Sequence, residues 1–246
     1  MRNQLLFVSF PYIAAACLIA GILGRYWWLR GRLGQILVDF SSLQATLGNK
    51  LFQIGWILLI LGHLGGILFA RQILLWDAQP WRLYLLETMA FLIGATTLLS
   101  LLKPIWKCLN QNTEPASWAV GNTVFLSLLA LGLISGLLMA AIHRWGSTWG
   151  SVTLSPYLVS LWHRKPAVTL ISGLPFLVRV HAFSGFTIVV AFPFSRPALL
   201  LILALHRVFS YIARPTREWA HATREAMQRW AKRYDPAPLI WPEEEE

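Results

Sequence analysis

The chain has 246 residues, 56% of them hydrophobic and 13% charged, with a mean hydropathy of +0.55 and a formal net charge of +10. A profile this apolar excludes a soluble globular protein and gives no support to a basic nucleic-acid-binding surface. It belongs to an integral membrane protein, whose spanning helices each need about 20 predominantly apolar residues.

The first such stretch is 3–24. It has only Arg2 as a charged flank, and Arg25, Tyr26, Trp27 and Trp28 follow directly, so it makes a poor cleavable signal peptide and a good retained helix. Tyr26, Trp27 and Trp28 form an aromatic belt at an interface. The second span, 51–70, lies between Lys50 and Arg71 and carries His63 among Gly62, Gly65 and Gly66. A third, 83–102, is interrupted only by Glu87, and Cys108 follows in a polar loop. The fourth is 116–142. His143, Arg144 and His163 fall in the next loop, where Ser155–Trp162 is expected to form a short outer helix covering the pocket between His63 and His181. The fifth span, 170–195, is broken only by Arg179 and carries His181, with Gly185 four residues on.

Pro197 opens a further apolar stretch to Ala213, divided by Arg207, which reads as an extension of the fifth helix or as a short interfacial helix. The expected organisation is therefore a membrane domain, 1–213, and a tail, 214–246. The tail starts as a basic amphipathic helix with Trp219, Met227 and Trp230 as an apolar stripe, suited to an anionic membrane or a partner protein. His221 falls in it without a ligand role. Asp235-Pro-Ala-Pro ends the helix, and Glu243–Glu246 is an acidic terminus. The fold class is an all-α, five-transmembrane-helix bundle.

Lys and Arg gather on cytoplasmic loops. With five spans, one side holds Arg25, Arg30, Arg32, Lys50, Lys103, Lys107 and the eight basic residues from Arg196 onward. The other holds Arg2, Arg71, Arg82, Arg144, Arg164 and Lys165, so the balance is fourteen against six. The N-terminus is expected outside and the C-terminus in the cytoplasm, with the excess positive charge facing anionic lipid.

An ionisable side chain at membrane depth costs roughly 2.5–3.5 kcal/mol on insertion scales and is a functional-site hypothesis by default. His63 lies eight residues from the outer charge and His181 about eleven into its span, a similar depth in the outer half of the membrane. Two antiparallel helices would then present both imidazoles to opposite faces of one iron, clamping a haem. The bland alternative is that each histidine hydrogen-bonds across helices and binds nothing; the matched depth weighs against it. Cys17 and Cys108 form no Cys-x-x-Cys-His, so a covalently attached haem is excluded.

At these residues the chain resembles the gamma subunit of membrane-bound respiratory nitrate reductase. The likeness is carried by Phe10–Trp28 with its Pro-Tyr-Ile and Arg-Tyr, by Leu51–Gly66, and most specifically by Val178–Arg196 ending in Phe-Pro-Phe-Ser-Arg. The resemblance implies two b-type haems stacked across the bilayer, each held by one histidine from the second span and one from the fifth. Its outer pair maps onto His63 and His181. Its inner pair falls on Gln53 and Leu199, neither of which replaces an imidazole, so one haem b is expected, at the outer site. His206, 25 residues after His181, stands too far along to substitute for Leu199 and reads as an interfacial or partner-facing side chain.

The resemblance also implies quinol oxidation near the outer haem, where the family carries a lysine at the start of the third span. Trp81–Ala90 has no lysine; Arg82 and Glu87 are its charged groups. Glu87 either accepts a quinol proton or caps a helix turn at headgroup level. His143, His163 and Arg144 either contact haem propionates or are solvated, and Arg179 points to a different helix face from His181.

The sequence holds no iron–sulfur cysteine cluster, Gly-rich phosphate loop or serine–histidine–acid pattern. Catalysis on nitrate would belong to partners, implied as an iron–sulfur beta subunit and a molybdenum alpha subunit. The implied function is a haem b anchor in the inner membrane of a prokaryote, passing electrons from the quinone pool to those partners. The alternatives are a structural anchor with one residual haem, or a subunit serving a redox partner on the outer face.

Overall fold

In lipid every backbone N–H and C=O must be satisfied within the protein, and an apolar stretch does this by becoming a helix. The computed structural model describes residues 4–31, 50–110, 116–143 and 146–233. Among these there is no strand. Arg2, Arg32, Arg144, the Asp235-Pro-Ala-Pro stop and Glu243–Glu246 lie outside the described residues.

Five helices are long and apolar enough to cross a membrane. One turn of π-helix, Leu5–Ser9, leads into α1 (Phe10–Leu29), which carries Tyr26, Trp27 and Trp28 inside the helix rather than beyond its end. Next come α2 (Lys50–Leu68) and the short α3 (Ala70–Asp77), separated at Phe69, whose φ of −116° and ψ of 34° break the helix. α4 (Pro80–Asn110) and α5 (Ala116–Ile142) follow. Cys108 is thus within α4, not in a loop. Then come α6 (Gly146–Trp149), a π turn at Gly150–Leu154, α7 (Ser155–Trp162) and α8 (Thr169–Ser172). α7 falls on the short helix expected there, but it is tied to the first span and lines no part of the pocket between His63 and His181. α9 (Phe176–Ala191) is the fifth span.

The fifth span starts six residues later than its apolar run, at Phe176 rather than 170. Pro175 is extended at its N-cap (φ −50°, ψ 150°), and an X–Pro pair disfavours the helical region for the residue before it. The run from 170 is therefore split between α8 and α9.

α9 packs on α5, α5 on α4 and α4 on α2, while α1 packs on the other side of α9. The row curls so that α2 and α9 border one cavity floored by α4 and α5. Leu61, Leu99 and Leu131 on the outside are exposed, as lipid-facing leucines are. The short helices α3, α6, α7 and α8 gather where α2 ends and α9 begins, and we call this the loop-capped end. Two hydroxyls staple it to the first span: Tyr157 donates to Phe7 O at 2.7 Å and Tyr12 to Leu161 O at 2.8 Å. Around them Phe7, Tyr157, Leu161 and Ile171 form a buried cluster.

The opposite half is filled. Phe52, Leu101, Phe125, Leu126, Leu133 and Ala191 form one apolar core there, with Trp56 and Leu98 packed on it. α2 and α4 touch closely at its edge, where a Cβ on Gly55 would clash with Thr97 Oγ1.

α9 ends in a single 3₁₀ turn, Phe192–Phe194, and Ser195 is extended (φ −89°, ψ 164°) before α10 (Pro197–Arg233) begins. Pro193 and Pro197 lack N–H donors, so the turn cannot continue the helical ladder and leaves carbonyls open. Arg25 of α1 donates to two of them, Pro193 O and Ser195 O, the latter at 2.6 Å. Gly21 and Gly121 let both neighbouring helices approach, since a Cβ there would lie 2.6 Å from Pro193 Cβ and 2.5 Å from Phe194 O respectively.

The contacts divide the chain into two units, Met1–Ile202 and Leu203–Glu246. Of the two earlier readings of the stretch from Pro197, it is not an uninterrupted extension of the fifth helix: the residues at 192–195 intervene, and a new helix starts. In the second unit His221, Trp219 and Met227 are exposed on α10, and nothing is described of the Trp230 side chain.

Candidate functional site

His63 lies five residues before the end of α2 at Leu68, and His181 five residues after the start of α9 at Phe176. Two antiparallel helices with histidines at equal distance from the same end bring those side chains to one level. The imidazole ring centres are 6.1 Å apart with their planes inclined at 41°.

Each ring is fixed by its Nδ1. His63 Nδ1 is 2.7 Å from Leu59 O, one turn back along its own helix. His181 Nδ1 is 3.1 Å from Gly132 O and 3.1 Å from Ser135 Oγ, both on α5. Ser135 Oγ itself donates to Gly132 O at 2.9 Å, so toward His181 it acts as acceptor. A carbonyl accepts and cannot donate, which assigns the proton to Nδ1 in both rings. Nε2 is then a lone pair on each, and among the described residues neither has a hydrogen-bond partner. A carbonyl on the far nitrogen is also the usual device for orienting a metal-ligating histidine.

The space between the rings belongs to a cavity of about 390 Å³, within the range of small-molecule and cofactor sites. Its wall is apolar apart from the two imidazoles, Glu87 and the serines Ser147 and Ser151. Gly62 and Gly66 line it, and a Cβ added at either would meet nothing within 4 Å, so both leave room on the cavity side of α2. Gly136 on α5 lies under His181: a Cβ there would be 2.8 Å from its Cε1. Gly185, in contrast, is exposed and does not line the cavity.

These features fit a bis-imidazole haem. An imidazole binds iron at about 2 Å and its ring centre lies about 1 Å beyond the nitrogen, so two rings on opposite faces of one iron stand about 6 Å apart. The spacing, the two free Nε2 lone pairs and the vacant glycine wall all meet that demand. Among the described residues no group of three or more His, Cys, Asp or Glu could hold a bare metal ion.

Glu87 is on the cavity wall, tied to α6 by Ser147: the Ser147 N–H reaches Glu87 Oε1 at 2.8 Å and Ser147 Oγ reaches the same oxygen at 2.8 Å. Arg82 is elsewhere, its guanidinium 5.1 Å from the Trp76 ring and 5.4 Å from Trp81, and it does not line the cavity. His143 stacks near Trp149 at 6.4 Å, His163 is exposed at the end of α7, and Arg179 Nε is buried without a partner among the described residues. None of these three lines the cavity.

At the positions of the absent histidines, Gln53 is half-buried on α2 and Leu199 is buried. Phe52, beside Gln53, is 1% exposed at the head of the apolar core that fills this half.

Three residues next to the rings escaped the sequence reading: Gly132, Ser135 and Gly136 of α5. Their signal was present, since Gly132-x-x-x-Gly136 is the small-residue spacing at which membrane helices approach closely. Asp77 and Ser147 escaped it too, and nothing in their local sequence marks them.

The fold and site define a multi-pass membrane protein with a paired-imidazole centre near one end of its helix bundle. The sequence profile of the nitrate reductase gamma subunit family matches residues 3–219, and the chain belongs to that family. It is 29% identical to the respiratory nitrate reductase 1 gamma chain of Escherichia coli (strain K12) over 208 residues, covering 79% of this chain and 88% of that one. To the respiratory nitrate reductase 2 gamma chain of the same organism it is 25% identical over 205 residues, with the same coverage. This makes the chain a membrane subunit of an oxidoreductase complex of the nitrate reductase type.

Proposed function

We propose that this subunit holds a single haem b between His63 and His181 and carries electrons from a quinol to an iron–sulfur partner and, through it, to a molybdenum subunit. The observation that carries the reading is the pair of imidazoles 6.1 Å apart with both Nδ1 atoms pinned. Haem bound there supplies a one-electron carrier inside the membrane. The protein's own part is to orient the two ligands through Leu59 O, Gly132 O and Ser135, to exclude water with an apolar wall, and to place Glu87 where a quinol would lose its protons.

The balance of basic residues supports an outward loop-capped end, in the inner membrane of a prokaryote, with protons released outside and partners docked on the cytoplasmic side. The inner half supports one haem rather than two, because Phe52, Leu101 and Phe125 fill it. Arg82, stacked on tryptophans, is a poorer candidate for quinol contact than Glu87.

One observation favours a second reading. From His63 to Lys50 is thirteen residues, about 20 Å of helix, and the core residues along it, Phe52, Leu101 and Phe125, carry no metal-ligating side chain. An anchor that keeps one haem for stability, or that serves a partner on the outer face, has no need to bridge that distance.

Adding a quinol analogue anaerobically to the purified protein in lipid nanodiscs divides these readings. The conduit reading expects rapid appearance of the reduced b-type spectrum, and no such spectrum in His181→Ala. A normal oxidised spectrum that dithionite reduces and the quinol does not would sink quinol oxidation and leave the anchor.

A further inference from the structure

Ser147 Oγ lies 2.8 Å from Glu87 Oε1 and also 2.8 Å from Asp77 Oδ2. Three separate elements bring these groups together: Glu87 from α4, Asp77 from the last residue of α3, and Ser147 from α6. A hydroxyl has one proton and can donate it to only one of these oxygens at a time, while its lone pairs accept from the other side. That is the geometry of a proton relay. Glu87 Oε1 is occupied by Ser147, whereas Oε2 has no hydrogen-bond partner among the described residues, and Glu87 lines the cavity that holds His63 and His181. At the other end, Asp77 is half-buried, its Oδ1 covered and without a partner among the described residues, and it is followed by the exposed turn Ala78–Gln79. Asp77 is not on the cavity wall.

We infer that Glu87, Ser147 and Asp77 conduct protons from a quinol hydroxyl in the cavity to the loop-capped surface, an inference that rests on the quinol reading above. The quinol O–H bond breaks and its proton goes to the Glu87 carboxylate. Protonated Glu87 donates to Ser147 Oγ as the Ser147 hydroxyl proton passes to Asp77, which releases it to water. The electron left on the quinol oxygen would go to the haem that His63 and His181 would hold. Once the iron–sulfur partner has withdrawn that electron, a second round removes the second proton and electron and leaves the quinone, so two protons exit for two electrons. Glu87 is the group that touches substrate; Ser147 and Asp77 act through it. The arrangement also accounts for a site without a lysine, because a carboxylate is a better acceptor for the proton than an ammonium.

The test uses the full-length protein, haem-loaded, in nanodiscs, with Asp77→Asn, Ser147→Ala and Glu87→Gln. Four readouts are taken: the rate of haem reduction by a quinol analogue, the rate with dithionite, the oxidised haem spectrum, and the Kd of the oxidised quinone from quenching of tryptophan fluorescence. General acid–base groups contribute about 10²–10⁴-fold. Glu87→Gln is expected to slow quinol reduction about 100-fold or more, and Asp77→Asn and Ser147→Ala each about tenfold or more. The double variant Asp77→Asn/Ser147→Ala is expected to be no slower than the slower single one, since both interrupt one path. Dithionite rate and spectrum stay at wild-type values in Asp77→Asn and Ser147→Ala, and the quinone Kd stays so in Asp77→Asn, whose side chain is off the cavity wall.

Wild-type quinol reduction with unchanged rates in Asp77→Asn and Ser147→Ala overturns the relay and leaves quinol oxidation standing. Slowing in Asp77→Asn that tracks a weakened quinone Kd, or an altered spectrum in either variant, also overturns it, because the cluster then only shapes the cavity. Should Ser147→Ala not fold, the near-isosteric Asp77→Asn decides alone. If wild-type haem is not reduced by the quinol at all, the quinol reading fails and the relay fails with it.

Discussion

At His181 two acceptors share one N–H, Gly132 O and Ser135 Oγ, while His63 relies on Leu59 O alone. Outer partners of this kind typically change metal affinity by 10–100-fold when removed. Ser135→Ala leaves Gly132 O in place, so it is expected to keep the haem and weaken its binding about tenfold, read by titrating haem into the apo protein. Gly136→Val differs in kind. A Cβ 2.8 Å from His181 Cε1 forces the ring off its position, and the b-type absorbance should be lost. Gly62→Leu separates cofactor space from folding, because the new side chain enters open cavity rather than a neighbouring helix. Haem content should fall sharply while the thermal unfolding midpoint of the apo protein stays within a few degrees of wild type; a full haem complement in this variant contradicts the cavity assignment.

At the scale of elements, two devices hold the bundle where helices must stop. The first is Arg25 across the Phe192–Phe194 turn. Hydrogen bonds to a charged group are worth about 1.5–3 kcal/mol each, and unsatisfied carbonyls at membrane depth cost more than in water. Arg25→Met is therefore expected to destabilise by roughly 3 kcal/mol, measured by unfolding in mild detergent. The second is the staple of α7 onto α1 by Tyr157. Burial, and to a lesser degree Tyr12, holds its phenol above the ordinary tyrosine range, near 10. The folded state then keeps this proton where the unfolded state has lost it. The staple is fully stabilising below about pH 10, and stability falls as pH rises above that value. Tyr157→Phe should cost roughly 1 kcal/mol at neutral pH and flatten this alkaline loss. An equally steep loss above pH 10 in the variant would assign it to other groups.

Over the whole molecule, the spans were legible because hydrocarbon imposes length and charge limits that a sequence states directly. Lys50 and Arg71 bracket α2 closely, and α7 falls on Ser155–Trp162 as expected. The start of α9 was misread, because hydropathy does not register the extended Pro175. The histidine pair was legible from its cost in lipid and its matched depth. What holds the pair was less so. Ser135 is 46 residues from His181, and Ser147 is 60 from Glu87 and 70 from Asp77, so those contacts exist only once α5 and α6 are packed. Gln53 and Leu199 carry the expectation of a single haem, and beside Gln53 the structure places the apolar core of Phe52 and Phe125. A helix bundle with one hollow and one filled half is expected to bind one haem.

Haem iron counted per polypeptide in the purified full-length chain, beside His181→Ala, addresses that claim most directly. The account predicts one iron per chain in the wild type and none in the variant. Two irons per chain, or one that persists with a normal spectrum in His181→Ala, would contradict it.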